Sequence, residues 1–412
     1  MNSYEHRKGL IGYEEALQLT LTSVGRMPEE LCSPTQALGR VAASDVLATI
    51  NLPSVDSSMK DGYAVKSSDL EEATTSRAVY LELIGSSVAG RESDLEVSTG
   101  TAVRILCGAP TPKGADAILA EEFAELQSGM IRVIADAHVG RNILKAGADI
   151  MTGQALVCEG ELITPAKVGL LVAGGVSRLS VARKPSIGLL ATGDEVILPG
   201  QPLTEGKLYA SNIALQDAWL RSLGLKCSSG ICGDSLDQLI QAIDRMSIEH
   251  DILMTSGGVW TGERDLVIRA LESLDWRPVF HRCRMGPGKA VGMGMLRGKP
   301  VFCLPGGPPS NEMAFLMIAL PAIARMLGRK NGLIPQFFGS VTQDIHGQKE
   351  WTQFVHCDLK HANQQFQLTP RDFSRRLSAM SFAKAIVKIP EGVTRIVKGT
   401  TVPFYSIDMV SE

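Results

Sequence analysis

The sequence has no excess of charge of one sign, no C-x-x-C pair and no long apolar run. Its 41 basic residues are balanced by 44 acidic residues, which argues against a dedicated nucleic-acid-binding protein, because such proteins usually carry a basic excess. The 8 cysteines match no zinc-binding spacing, so we expect reduced thiols in a cytoplasmic protein. Without a run of about 18 apolar residues, no segment is predicted to cross a membrane.

The first residues of the chain bear on its cellular location, and its length bears on the number of domains. Residues 1–8 are polar and contain no apolar segment of the kind that a secretory signal requires. We therefore expect a soluble, cytoplasmic protein. A chain of 412 residues is longer than the roughly 250–300 residues at which single cores stop growing, so two to four domains are expected.

The pattern of apolar residues changes several times along the chain. Residues 12–24 have the spacing of an amphipathic helix, and a second short helix is predicted over residues 34–47. A further helix is predicted over residues 165–173, with Gly174 at its end, and a strand over residues 179–182. Short apolar runs broken by glycines predict a β-rich block over residues 63–148. After residue 332, short strands separated by turn residues predict a small all-β module.

Residues 186–329 alternate between short strands and longer helices. Such alternation predicts βαβ units and a parallel sheet with right-handed crossovers. The predicted strands are 187–191, 251–254 and 301–304, and the predicted helices are 211–223, 236–246, 264–274 and 311–326.

Three glycine-containing turns follow predicted strands of this α/β block. The carboxyl ends of parallel strands meet at one edge of a sheet, where open α/β sheets bind ligands. Glycines let the backbone approach a ligand closely, and serine hydroxyls can donate to phosphate. We therefore expect an anionic, nucleotide- or pterin-like ligand at this edge. The turns are Thr192-Gly193-Asp194-Glu195, Thr255-Ser256-Gly257-Gly258 and Pro305-Gly306-Gly307-Pro308-Pro309-Ser310.

Charged side chains near these turns suit the same kind of ligand. Glu195, Asp234 and Asp265 supply carboxylates, which suit a Mg²⁺ ion that also binds phosphate oxygens. Lys289, at the end of a Gly-Pro-Gly-Lys sequence, supplies a positive charge of the phosphate-binding type.

Five motifs in a fixed order resemble those of the molybdopterin molybdenumtransferases, the molybdenum-insertion enzymes that include the bacterial MoeA type and the gephyrin E domain. The resemblance covers essentially the whole chain, and its specificity lies in the order of the motifs, since no single motif is specific. The motifs are Asp-Ser-Ser-Met-Lys-Asp-Gly-Tyr-Ala-Val (56–65), Ile-Leu-Cys-Gly-Ala-Pro (105–110), Ala-Thr-Gly-Asp-Glu (191–195), Thr-Ser-Gly-Gly-Val (255–259) and Pro-Gly-Lys (287–289).

The resemblance implies an elongated, MoeA-like subunit of four parts that forms a homodimer. The implied reaction uses Mg²⁺ and inserts molybdate into adenylylated molybdopterin, with release of AMP and molybdenum cofactor. Contact with a molybdopterin adenylyltransferase is a further expectation. The implied domains are an N-terminal domain of residues 1–47 and 154–184, an inserted β-rich lid of residues 48–153, an α/β molybdopterin-binding domain of residues 185–330 and a C-terminal β-barrel-like domain of residues 331–412.

Four acidic residues are implied as catalytic, namely Asp61, Asp149, Glu195 and Asp265. Glu195 and Asp265 would hold Mg²⁺, whereas the inserted domain would bring Asp61 and Asp149 over the α/β pocket of the partner subunit. Which of Asp61 and Asp149 handles molybdate stays open. The residues expected to bind the molybdopterin substrate are Thr192, Gly193, Asp194, Ser256, Gly257, Gly258, Lys289, Pro305, Gly306 and Ser310.

The chain departs from the family pattern at several positions of the expected site. Together these departures remove polar contacts and one positive charge. Trp260 adds a large ring that either stacks on the ligand or fills the pocket. The departures are Cys107, Ala148, Ala210, Gly233, Trp260, Gly286 and Gly307.

Three functions are compatible with these residues. The retained carboxylates and Lys289 favour an active or specialised molybdenumtransferase. The lost polar side chains would also suit a non-catalytic protein that binds molybdopterin or finished cofactor, or a scaffold. The α/β block alone would suit an adenylyltransferase that activates the pterin with ATP, but the inserted and C-terminal β modules argue against this. Molybdenum and tungsten are both left open as the metal.

Overall fold

The computed structural model describes residues 10–91, 94–258, 265–362, 364–372 and 376–408. The chain forms a larger unit, Met1–Glu30 with Ala182–Glu412, and a smaller unit, Leu31–Val181. These units are coarser than the four predicted domains, whose boundaries stay a prediction. None of the described helices is both long and apolar enough to span a membrane.

A six-stranded sheet forms the centre of the larger unit. Its first four strands are parallel, as the alternation of strands and helices predicts. The last two strands are antiparallel, and neither they nor the first strand of the sheet was predicted. In order across the sheet, the strands are Cys227–Cys232, Ile187–Thr192, Ile252–Ser256, Lys299–Leu304, Gly292–Leu296 and Arg277–His281.

Successive residues of the central strands enter two different cores. Ile252 and Met254 belong to one hydrophobic cluster, whereas Leu253 belongs to another. Because side chains alternate between the two faces of a strand, both faces of this sheet are covered. The helices on one face are Ser211–Ser222 and a continuous helix made of Pro308–Ala314, a π-helical turn Phe315–Ala319 and Leu320–Met326, and those on the other face are Leu236–Glu249 and Leu266–Glu272.

The strand that leads to the second glycine turn is fixed at its start by Asp251. The guanidinium of Arg183 donates two hydrogen bonds to this carboxylate, of 2.9 and 2.8 Å. Ser186 donates two more, from its backbone N–H and its hydroxyl, both of 2.8 Å. Burial alone would raise the pKa of Asp251, but the bonds from Arg183 and Ser186 lower it to about 2. The Asp251 side chain is therefore charged at neutral pH and fixes the entry of the strand.

A closed barrel of five strands completes the larger unit, and it confirms the predicted β-barrel-like module. The barrel is joined to the α/β part through Cys283–Gly286, which pairs in parallel with the first barrel strand. The barrel strands are Thr352–Ala362, Gln365–Pro370, Gln336–Val341, Thr401–Ser406 and Ala385–Ile389. The remaining elements of this unit are helices Tyr13–Ser23 and Arg376–Ser381 and strands Ile11–Gly12, Val196–Ile197, Leu208–Tyr209, Ile345–His346 and Arg395–Ile396.

The smaller unit is built on a second six-stranded sheet. Its helix Pro165–Ala173 begins at Thr164, whose side chain accepts from the backbone N–H of Lys167, and ends at Gly174 as predicted. The sheet strands, in order, are Ala117–Ala120, Gly62–Val65, Thr101–Ile105, Val79–Ser87, Met130–Val133 and Ala124–Gln127. Short pairs are Ser57–Ser58 with Ile143–Leu144 and Val46–Leu47 with Ala155–Val157, short 3₁₀ turns are Ser67–Asp69 and Glu121–Phe123, and strands Glu29–Cys32 and Leu179–Ala182 lie at the sequence boundaries of the unit.

The prediction of a helix over residues 34–47 was wrong. Residues 34–39 form turns instead, and Gly39 adopts a φ of 73°, a conformation that ends a helix. The N–H of Gly39 donates to the carbonyl of Ile163 over 2.9 Å. The N–H groups of Ala42 and Ala43 likewise donate to Glu161 and Ser180, so from Gly39 onward bonds to distant parts of the chain take the place of several local bonds that a helix would need.

Candidate functional site

A cavity of about 650 Å³ opens at the carboxyl ends of the parallel strands. The three glycine-containing turns predicted to meet at this edge all contribute to its wall. The predicted site residues that line it are Thr192, Gly193, Glu195, Gly257, Gly258, Lys289, Pro305, Gly306 and Ser310.

The second turn needs glycine because it packs directly against the end of a neighbouring strand. Gly257 and Gly258 have φ values of 98° and 66°, which other residues rarely adopt. A Cβ atom on Gly257 would lie 2.8 Å from the carbonyl oxygen of Thr192, and one on Gly258 would lie 2.7 Å from a methyl of Val267. These two glycines bring the backbone itself to the cavity wall.

The structure explains why position 233, one of the departures from the family pattern, is a glycine. The carboxylate of Asp194 accepts a hydrogen bond of 3.0 Å from the N–H of Asp234. A Cβ atom on Gly233 would lie only 2.6 Å from the same carboxylate oxygen. The missing side chain at position 233 therefore makes room for Asp194. The Asp194 carboxylate supports the backbone at residues 233–234, and Asp194 is not among the described residues that line the cavity.

A partly buried polar network fixes the second and third turns to each other. The hydroxyl of Ser256 accepts from the side-chain amides of Asn212 and Asn311, each over 3.0 Å. The same two amides donate to carbonyls of the third turn, Asn212 to Gly306 over 2.8 Å and Asn311 to Pro305 over 2.7 Å. Such a network holds both turns in one arrangement. The sequence pattern gave no sign of the two asparagines.

A second cavity of about 300 Å³ adjoins the first. Both cavities are lined by Thr192, Glu195, Gly257 and Gly306. Ser256, predicted to bind substrate, lines this smaller cavity.

The C-terminal module also contributes residues to the wall of the main cavity. Gln348, Trp351 and Gln353 line it, and the ammonium of Lys289 lies 5.5 Å from the centre of the Trp351 ring. This contribution was missed, because it depends on the parallel pairing of Met285 with Thr352. Local periodicity does not reveal a pairing between residues so far apart in sequence.

The four predicted catalytic carboxylates have different surroundings. Glu195 is exposed and lines the cavity. Asp265 begins helix Leu266–Glu272, accepts from the N–H of Ile268 over 3.4 Å and is not among the described residues that line the cavity. Burial of this carboxyl raises the pKa of Asp265 to about 6.

Asp61 and Asp149 belong to the smaller unit, and both are exposed. The carboxylate of Asp61 accepts a hydrogen bond of 2.7 Å from the N–H of Cys107. The backbone N–H of Cys107 makes this bond, so its thiol side chain is not needed for it. The catalytic roles of the four carboxylates stay predictions.

The other departures from the family pattern fall in several places. Gly286 and Gly307 line the main cavity, and Ala210 is buried immediately before helix Ser211–Ser222. Ala148 is exposed in the smaller unit. Trp260 lies outside the described residues.

The donor groups of the cavity fit a magnesium ion that shares its ligands with a substrate. Within the described residues, no three His, Cys, Asp or Glu side chains cluster as a closed metal site. Glu195 and Asp234 both line the cavity, and Mg²⁺ usually takes one or two carboxylates together with water and phosphate oxygens. The predicted pairing of Glu195 with Asp265 stays a prediction.

Three family models match successive parts of the chain. The MoeA N-terminal region (domain I and II) matches residues 11–175, and the probable molybdopterin binding domain matches residues 188–325. The MoeA C-terminal region (domain IV) matches residues 339–407. The three models follow one another in the order that the resemblance implied.

A relative that matches nearly the full length decides the family. The chain is 31% identical over 379 residues to molybdopterin molybdenumtransferase 2 of Mycobacterium tuberculosis (strain CDC 1551 / Oshkosh), covering 90% of this chain and 94% of that protein. The chain belongs to the molybdopterin molybdenumtransferase family. The molybdopterin molybdenumtransferase of Haemophilus influenzae is 32% identical over 326 residues, which are 77% of this chain and 79% of that protein.

A solved structure confirms the fold expected for a member of the molybdopterin molybdenumtransferase family. The molybdopterin biosynthesis MoeA protein from Pyrococcus horikosii matches with a TM-score of 0.85 and 29% identity, covering 98% of this chain and 100% of that chain. The main cavity draws residues from the part matched by the probable molybdopterin binding domain and from the part matched by the MoeA C-terminal region.

Proposed function

We propose that this protein is a transferase of molybdenum cofactor biosynthesis that inserts molybdate into adenylylated molybdopterin and releases AMP. One observation carries the proposal. The three glycine turns, Lys289 and Glu195 line a single cavity in a chain that matches molybdopterin molybdenumtransferases over nearly its full length.

The cavity wall suits a large anionic substrate. Gly257 and Gly258 bring backbone to the wall, and Ser310 adds a hydroxyl. The N–H of Gly257 already donates to the carbonyl of Leu304, so the groups that we propose as donors to phosphate oxygens are the N–H of Gly258 and the hydroxyl of Ser310. Lys289 supplies a positive charge that favours a phosphoanhydride and molybdate at the same place. Fixed donors of this kind act most strongly on charge that develops during the reaction.

We propose Mg²⁺ as the cofactor. The described charged residues of the wall are two carboxylates, Glu195 and Asp234, and one cation, Lys289. A phosphoanhydride and molybdate would add further negative charge, which a divalent cation offsets. Glu195 would hold the ion, with Asp265 or Asp234 as the second carboxylate, and the ion would supply positive charge to the phosphate oxygens.

The finer features of the family reaction belong to the same proposal. We infer that Asp61 or Asp149 orients molybdate or acts on the attacking water. We also infer a homodimer that works in the cytoplasm and contacts a molybdopterin adenylyltransferase. Molar mass by light scattering after gel filtration checks the dimer, and co-purification with the adenylyltransferase checks the contact.

Complementation of a bacterial strain that lacks its own molybdenumtransferase tests the proposed function. The wild-type chain should restore the activity of a molybdenum enzyme in that strain, whereas the Glu195→Gln variant, expressed to the same level, should restore much less. Failure of the wild-type chain to restore activity, with soluble protein present in the cells, would count against the proposal.

A further inference from the structure

Lys289 and Trp351 form a pair in the wall of the main cavity. Both side chains line the cavity, and the Lys289 ammonium lies 5.5 Å from the centre of the Trp351 ring. An ammonium within about 6 Å of a ring centre is attracted by the negative face of the ring. The pair therefore joins a cation of the α/β part to an aromatic side chain of the barrel.

The backbone on both sides of the pair is fixed. Strand Cys283–Gly286 pairs in parallel with Thr352–Ala362, with Met285 opposite Thr352. Trp351 directly precedes the second strand, and Lys289 follows the first strand after Gly288. Gly288 has a φ of 119°, and a Cβ atom there would lie 2.8 Å from the terminal methyl of Met285. The approach of the ammonium to the ring thus follows from the strand pairing and a turn that requires glycine.

Among the described residues, the Lys289 ammonium contacts an aromatic ring and is not paired with a carboxylate. Glu195 and Asp234 line the same cavity, yet neither carboxylate forms a salt bridge with Lys289 in the described part of the chain. Lys145, by contrast, is paired with Asp56 at 2.7 Å. A carboxylate partner would neutralise the charge of a lysine, whereas an aromatic face orients the ammonium and leaves its charge available to an anion.

We propose that Trp351 is a positioning residue that holds Lys289 over the cavity, where the ammonium binds the phosphate groups of the substrate. This inference rests on the proposed function, because it assigns the anion to adenylylated molybdopterin. The ring acts through Lys289 and does not itself carry the binding of the anion. The C-terminal barrel therefore takes part in substrate recognition.

A double-mutant cycle on the full chain tests this inference. Calorimetric titration with AMP and, separately, with molybdate would compare the wild type with Trp351→Leu, Trp351→Phe, Lys289→Met and the Lys289→Met/Trp351→Leu double variant. Trp351→Leu should weaken the binding of AMP by about 3- to 30-fold, the range expected for loss of a cation–π contact. Trp351→Phe keeps an aromatic face and should lose less.

The decisive comparison is made in the Lys289→Met background. Because the ring acts through the lysine, adding Trp351→Leu there should change the affinity for AMP by less than about twofold. An equal loss in both backgrounds would overturn the inference, since it would show that the ring touches the ligand or only supports the wall. No effect of Trp351→Leu alone, or no binding of either anion by the wild type, would overturn it as well. Unchanged circular dichroism and melting temperature exclude misfolding of the variants.

The outcome is separable from the test of the proposed function. If the wild type forms molybdenum cofactor but the cycle shows no coupling between Trp351 and Lys289, the positioning role fails alone. If the cycle shows coupling but the wild type forms no cofactor, the proposed reaction fails and the anion site remains.

Discussion

At the scale of single residues, Asp265 combines a helix cap with the catalytic role that the family resemblance implies. Its carboxylate accepts from the N–H of Ile268 at the start of helix Leu266–Glu272. Asp265→Ala should abolish turnover and lower the free energy of unfolding by about 0.5–2 kcal/mol, the usual cost of losing such a cap. Asp265→Asn, which can still cap, should abolish turnover with a smaller loss of stability. Turnover retained in Asp265→Ala would show that the residue only caps the helix.

The same carboxyl predicts a pH dependence of stability. Burial raises the pKa of Asp265 from 3.8 to about 6, so between these values the folded protein holds a proton that the unfolded chain has lost. The contribution of Asp265 to the free energy of unfolding is therefore fully present below pH 3.8 and is lost as the pH rises through about 6.

Urea unfolding of the wild type and Asp265→Asn across this pH range measures that contribution. The difference in unfolding free energy, wild type minus variant, should fall from about pH 4 to pH 6 and then level off. Parallel curves for the two proteins would contradict the raised pKa.

Glu312 and His356 form a buried pair that joins helix Pro308–Ala314 to the barrel. Oε2 of Glu312 lies 2.8 Å from Nε2 of His356, and their side chains are 6% and 0% exposed. Glu312→Ala removes the acceptor of a buried hydrogen bond, which should lower the free energy of unfolding by about 1–3 kcal/mol. Glu312→Gln keeps an acceptor of similar size and should lose less. Equal losses in the two variants, measured by urea unfolding, would show that the hydrogen bond contributes little.

At the scale of elements, segments with a local signal could be predicted and segments with distant partners could not. Helix Pro165–Ala173 and strand Leu179–Ala182 agree with their predicted bounds, because helix capping and the spacing of apolar residues depend only on residues that are close in sequence. The segment 34–47 carries apolar residues at helical spacing, but the backbone N–H groups of Gly39, Ala42 and Ala43 donate to residues far along the chain. Tertiary contacts override local propensity at such places.

The strand Ile252–Ser256, which leads to the second turn, offers a stability test at this scale. Leu253 is 1% exposed in one of the two cores of the sheet, as its apolar setting predicts. Leu253→Ala should lower the free energy of unfolding by about 2–5 kcal/mol because it leaves a cavity. Ile248→Ala, at a position that is 61% exposed, is the matched control and should change it by less than about 0.5 kcal/mol. Similar effects of the two substitutions would mean that the strand is not packed as described.

At the scale of the whole molecule, one part of the cavity wall could be predicted and another could not. Turns at the ends of parallel strands share an edge, so Thr192, Gly257 and Gly306 were expected together. Trp351 reaches the cavity only because the barrel pairs with Cys283–Gly286. Asp194 was expected at the ligand but supports a neighbouring turn through the N–H of Asp234. The order of strands and helices in the sequence thus predicts the sheet edge at which the cavity lies. The barrel residues that line the cavity depend on strand pairing between distant parts of the chain.

The formation of molybdenum cofactor by the purified protein tests the central claim most directly. The protein would be mixed with adenylylated molybdopterin and Mg²⁺, with and without molybdate, while AMP is measured by chromatography and cofactor by activation of a cofactor-free molybdenum enzyme. We predict that AMP and active cofactor form together and depend on molybdate, and that both fall in the Lys289→Met variant. Substrate that binds tightly, as shown by calorimetry, but releases no AMP in the presence of molybdate and Mg²⁺ would contradict the claim.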